Sequence, residues 1–112
     1  MKAEERVSVA LDHLDSSLTL AAELVRRGRP AFDSDQAVPL AFEALSGRVG
    51  EMAKLLVSLD PARLSDMIWS SAARNRDFVV HHYNMVDRDV LWDSVTVGFP
   101  DLHRRVTELR GT

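Results

Sequence analysis

The stretch VSVALDHLDSSLTLAAELV, residues 7–25, decides the fold class. Val7, Leu11, Leu14, Leu18, Ala21 and Val25 recur at alternating steps of four and three, which draws one apolar stripe along an α-helix. Arg26-Arg27-Gly28-Arg29-Pro30 then reads as its stop: glycine suits a helix C-terminus, proline does not continue one, and arginines complement the negative end of the dipole. A loop is expected from there to about Asp35.

The same four-three spacing returns in Val38, Phe42, Leu45, Val49, Met52 and Leu56, with Asp33, Ser34 or Asp35 available as N-cap and Pro39 tolerable in the first turn. Gly47 and Gly50 inside this second helix each cost about 1 kcal/mol against alanine. They mark either a close approach by another helix or simple tolerance. Asp60-Pro61 reads as the opening of a third helix, with Leu64, Met67, Ile68, Ala72, Phe78 and Val79 continuing an apolar face. After Tyr83-Asn84, Asp87 is placed to cap a run containing Val90, Leu91, Trp92 and Val95; beyond Gly98 and Pro100 a last helix carries Leu102, Val106 and Leu109. No strand pattern survives. The expectation is an all-α protein: an antiparallel, up-and-down four-helix bundle with an interrupted last helix, formed by residues 1–112 as one domain. Trp69, Phe78 and Trp92 are expected in the core or at a dimer interface, and His13 and His103 on the surface.

Of the 112 residues, 46% are apolar and 28% charged, an ordinary globular balance that excludes a disordered or fibrous chain. A domain this small leaves apolar surface hard to bury, so pairing with a second subunit is a natural way to complete the core. The net charge of −3 is not that of a protein drawn to nucleic acid by general attraction. Residues 1–60 hold seven Lys/Arg against ten Asp/Glu, whereas residues 61–112 hold seven of each, so any RNA site must be local. The absence of cysteine excludes disulfides and thiolate metal sites and fits a reducing compartment. Met1 to Arg6 is charged, and the amphipathic pattern after it is broken by Asp12, His13 and Asp15. Neither a signal peptide nor a membrane span is expected, and the cytoplasm is the expected location.

Most enzyme chemistries lack their signatures. No glycine-rich phosphate loop follows a strand, there is no nucleophile elbow, and the histidines lack metal-ligand spacing; His81 and His82, being adjacent, point about 100° apart on a helix. No metal and no cofactor are therefore expected. What remains is ARNRDFVVHHY, residues 73–83, in which Arg76, His81 and Tyr83 form the pattern R-x4-H-x-Y.

This element resembles the signature of the HepT-like toxins of the HEPN superfamily, in which a polar residue follows the arginine and apolar residues lead to the histidine. Asp77 fills the polar slot, where asparagine is commoner among HepT relatives. The resemblance extends to Leu45–Ala53 with its Gly50-Glu51, and to Val86-Asp87, Trp92, Val95 and Pro100-Leu102, about two thirds of the chain; residues 1–34 match only as a helix. It implies a HEPN-like helical homodimer that cleaves RNA without metal as the toxin of a type II-like toxin–antitoxin pair. A minimal nucleotidyltransferase antitoxin restrains such toxins by adenylylating the tyrosine, here Tyr83, beside a cleft formed where two motifs meet.

The residue types suit that chemistry. Histidine titrates in the range needed to move a proton to or from ribose oxygens, which fits His81. An arginine fork holds a phosphate in a geometry lysine does not reproduce, which fits Arg76. Asp77 lies four residues before His81 on the same helical face and can fix the imidazole orientation. Arg76 and His81, however, are about 140° apart around an ideal helix, whereas Arg74 and His81 are nearly aligned. Both arginines stand as candidates, Arg76 first, with Arg74, Asp77 and His82 in support. A non-catalytic helical module acting through a nucleotidyltransferase partner or a nucleotide is the competing expectation, and the acidic balance favours it slightly.

Overall fold

The computed structural model describes residues 2–72 and 87–111, and among them every regular element is helical. α1 spans Ala3–Val25, α2 Gly28–Ser34 and α3 Ala37–Leu59. Residues 67–72 are helical. α4, Arg88–Asp93, runs through a π-helical turn, Ser94–Gly98, into α5, Phe99–Arg110.

α1 is built as its spacing requires. Val7, Leu11, Leu14, Leu18 and Ala21 are buried, Leu14 and Ala21 completely. Two helices cover this stripe, both antiparallel to α1. The start of α1 (Ala3, Glu4, Val7) lies beside Leu59 at the end of α3, and its middle (His13, Ser16, Ser17) lies beside Ala44 to Met52. On the other flank Val25 meets Val95 and Phe99, while Arg110 at the far end of α5 reaches back to Asp12 and Asp15 at 2.7 and 3.3 Å. α3 contributes Val38, Phe42, Leu45, Val49, Ala53 and Leu56 to the same core. Gln36 is its N-cap and caps nothing through its side chain, while Asp35, one residue earlier and the C-cap of α2, accepts from Ala37 N at 3.0 Å.

Two expectations are corrected. The loop after Arg26 contains α2. α1 ends at Val25 with Arg26 as its C-cap, Gly28 at φ +84° turns the chain into a new helix, Pro30 falls in the first turn of that helix, where its missing N–H breaks no bond, and Phe32 is fully buried. Asp60-Pro61 starts a turn, in which Arg63 N approaches Asp60 Oδ1 at 3.4 Å, and helix resumes only at Met67, capped by Asp66 through Ile68 N at 3.1 Å. The reason is register: Leu64 and Trp69 are both buried, yet five residues stand about 140° apart on an unbroken helix, so the chain breaks between them. Met67, expected on the apolar face, is 72% exposed as a result.

The interruption expected in the last helix is present, as a π turn within a continuous helical path. Leu91, Val95, Phe99, Leu102 and Val106 are buried, and their first two steps are both fours. Eight residues overshoot two full turns of an ideal α-helix by about 80°, and the wider turn takes up the surplus, with Phe99 N–H bonding Ser94 O. Pro100 sits just past it, where in a regular helix its ring would strike the carbonyl of Thr96.

Phe32 joins α2 to the bundle, its ring centre 5.9 Å from that of Phe42 and 5.2 Å from that of half-buried Trp92. Phe32→Ala is expected to lower the unfolding free energy by about 3–5 kcal/mol, read from urea titration. A loss below about 1 kcal/mol would mean that α2 is not part of the cooperative core.

Candidate active-site region

Arg74, Arg76, Asp77, His81, His82 and Tyr83 lie outside the described residues, as does Phe78. What the structure provides is the frame on either side of them. Ahead of the segment, Trp69 is buried at the floor of a cleft of about 480 Å³ beside Arg63, Asp66 and Arg105. Arg105 pairs with Asp66 at 2.9 Å and Arg63 Nη2 donates to Leu109 O at 3.4 Å, so the start of the 67–72 helix is tied to the end of α5. Ile68, Ser71 and Ala72 face Ser94, Gly98 and Leu102 across a smaller cleft of about 270 Å³. The chain therefore enters the motif beside the π turn.

It returns at Asp87, whose carboxylate accepts from Asp89 N at 2.8 Å and Val90 N at 3.3 Å, the cap that its position in the sequence suggests. The next residue, Arg88, donates through Nη2 to Phe32 O at 3.0 Å and lies 5.3 Å from the Phe32 ring centre. Arg29 approaches the same rings, 5.2 Å from Phe32 and 5.9 Å from Trp92. It also donates to Asp33 at 2.9 Å and Asp89 at 2.7 Å; these two bonds, Asp33 first, hold its guanidinium above the usual arginine range. Two arginines and two acids thus lock α2 against α4 where the motif segment rejoins the bundle. Sequence reading took Arg29 only as a helix-end charge and singled out neither Arg88 nor Phe32. A cation beside a cap residue, Arg88 after Asp87, was the signal, but its aromatic partner Phe32 lies 56 residues away.

His103 is not a free surface residue. It is half-buried, and its Nε2 lies 2.7 Å from Asp15 Oδ1, which accepts its N–H. Arg110 takes the other Asp15 oxygen at 3.3 Å. A carboxylate–imidazole pair is a familiar proton-transfer unit, but here both carboxylate oxygens are engaged and the pair joins α1 to α5, so it is a clasp between helices. His13 is exposed, as expected. Among the described residues no three His, Asp or Glu side chains gather as a metal-binding set, and no helix is long and apolar enough to cross a membrane.

A family model described as ribonuclease HepT-like matches residues 14–109, from the middle of α1 to the last turn of α5, and so includes the whole of 73–83. No curated protein and no solved structure matches the chain.

Replacing Arg88 by alanine removes a charged donor from a half-buried carbonyl. The expected loss is about 1–2 kcal/mol in unfolding free energy, with faster hydrogen exchange across residues 87–93. Unchanged exchange there would show that Asp87 alone fixes the return of the chain.

Proposed function

Because the chain belongs to the HepT-like ribonuclease family, we propose that it is a metal-independent endoribonuclease, the toxin of a toxin–antitoxin pair, with its site at R-x4-H-x-Y. The observation that supports this reading is the extent of the family match, residues 14–109, a range within which Arg76, His81 and Tyr83 fall. In the proposed reaction a ribose 2′-oxygen attacks the adjacent phosphorus and the bond to the 5′-oxygen breaks. One proton leaves the 2′-hydroxyl and one reaches the departing 5′-oxygen. His81 moves a proton at one of these two oxygens. Arg76 spans the phosphate oxygens on which charge builds, with Arg74 as the alternative donor, and Asp77 orients the imidazole. His82 supports the site. In a homodimer the two motifs meet in one cleft, which removes the need for a single helix to present arginine and histidine on one face.

Tyr83 is the proposed point of restraint. A minimal nucleotidyltransferase partner would transfer adenylyl groups to its hydroxyl, and the added bulk and negative charge beside the cleft would repel an RNA backbone. The second reading, a non-catalytic module working through the same partner, draws its support from the net charge of −3.

Purified protein of confirmed dimeric state is expected to cleave labelled RNA in the presence of a chelator. His81→Ala is expected to lower the rate by about 10²–10⁴ and Arg76→Ala by about 10²–10³. Loss on Arg74→Ala with Arg76→Ala unaffected would transfer the phosphate role to Arg74. An inactive wild type, or a His81→Ala variant as active as wild type, would favour the non-catalytic module.

A further inference from the structure

Val9, Leu20 and Leu40 are three of the six large apolar side chains that the described residues expose, Leu20 by 46% and Leu40 by 62%. Helical spacing puts them on one face. Val9, His13, Ser16 and Leu20 follow at steps of four, three and four along α1, and Leu40, Ala44, Gly47 and Glu51 do the same along α3. All but half-buried Gly47 are exposed. The two stripes border an open groove of about 640 Å³, lined by His13, Ser16 and Ser17 from α1 and by Ala44, Gly47, Arg48 and Glu51 from α3. Water-exposed leucines grouped in this way on a folded chain mark a contact surface.

The antiparallel register of the two helices is read at two places. Val7 lies beside Leu59 near one end, and Ser16 and Ser17 lie beside Gly47 and Arg48 in the middle. Carried along both helices at about 1.5 Å per residue, this register sets Leu20 opposite Ala44, half-buried Leu24 opposite Leu40, and His13 opposite Glu51. Across the groove, therefore, apolar faces apolar, a hydroxyl faces a guanidinium and an imidazole faces an acid.

We propose that the α1–α3 face is an interface between two copies of this chain, paired about a two-fold axis that runs along the groove. That operation lays α1 of each copy on α3 of the other without shifting either along its length. The pairing that holds across the groove then holds across the interface: Leu20 of one copy meets Ala44 of the other, Leu24 meets Leu40, and His13 meets Glu51. The four helices form an antiparallel cluster with an apolar patch at one end and polar contacts at the other. Arg48 and Glu51 give the groove one charge of each sign, so a copy of itself meets no opposed like charges, while a partner of one sign gains nothing. Gly47 also acquires a use. A Cβ built on it meets no atom within 4 Å, and its absence leaves a recess for a side chain of the facing helix. The inference concerns assembly alone and does not rest on the ribonuclease reading.

The test is sedimentation equilibrium. Wild type is expected to associate, and Leu40→Asp to raise its dissociation constant at least about tenfold, because pairing then buries an unpartnered carboxylate. Leu40 is exposed in the single chain, so the variant is expected to keep its helix content by circular dichroism, which excludes misfolding as the cause. Two doubly charged chains check the register. Leu20→Lys with Ala44→Lys, and Leu20→Glu with Ala44→Glu, each set like charges against their own copy and are expected to stay apart; mixed together, they are expected to associate. A wild type that stays monomeric, a Leu40→Asp chain that associates as tightly as wild type, or charged chains that fail to associate on mixing overturns the proposed pairing. None of these measurements involves RNA, so any of those failures leaves the ribonuclease reading standing.

Discussion

Leu14, Leu18 and Ala21 are closed off from water by helices on two sides, and the rest of the structure takes its position from that burial. Each of these side chains contributes only by losing contact with water, yet along a 23-residue helix the stripe commits both neighbours to run antiparallel to α1. α3 and α5 must then place their own apolar residues opposite it. The polar links between α1 and α5 follow from this geometry. Asp15 accepts from His103 and Arg110 because antiparallel packing brings the end of the chain back to the middle of α1. Such half-exposed ion pairs contribute little free energy; their role is to select one axial register among several that the apolar faces would tolerate.

Periodicity made the long elements legible, and it failed where the structure departs from one uniform period. The α1 and α3 stripes are six residues each at steps of four and three, and their helices match the spacing nearly to the residue. α2 has a single core residue, Phe32, so seven residues offer no period to detect, and the Gly28 and Pro30 that signal a stop serve equally as a restart. Leu91, Val95 and Phe99 carried a sign of the π turn in their consecutive steps of four, a sign hidden by reading Gly98 and Pro100 as a break. Asp60 and Asp66 are both good caps, and the choice between them depends on burying Leu64 and Trp69 together, which is a tertiary requirement.

The candidate site rests on a different kind of reading. R-x4-H-x-Y names residue types fit for metal-free cleavage, and its recognition depended on resemblance, because spacing on one helix taken alone favours Arg74 over Arg76. Those residues lie outside the described ones, so the structure supplies their frame: a helix entering beside the π turn and a capped return held by Arg88 and Phe32. The pairing of His103 with Asp15, 88 residues apart, had no local signal at all.

The acidic balance and the proposed RNA chemistry can be reconciled through the ion pairs. Six arginines of the described surface are matched with carboxylates, which offsets part of the positive charge that would attract a polyanion from a distance. A protein of this kind gains small affinity from counterion release over its whole surface, and what affinity it has must come from few contacts. On the proposed ribonuclease reading, charge would then act as a filter, a phosphate being held where a donor has no acid of its own. Such a site would discriminate by geometry and would release product readily, because no broad basic surface holds the strand after the bond is cut.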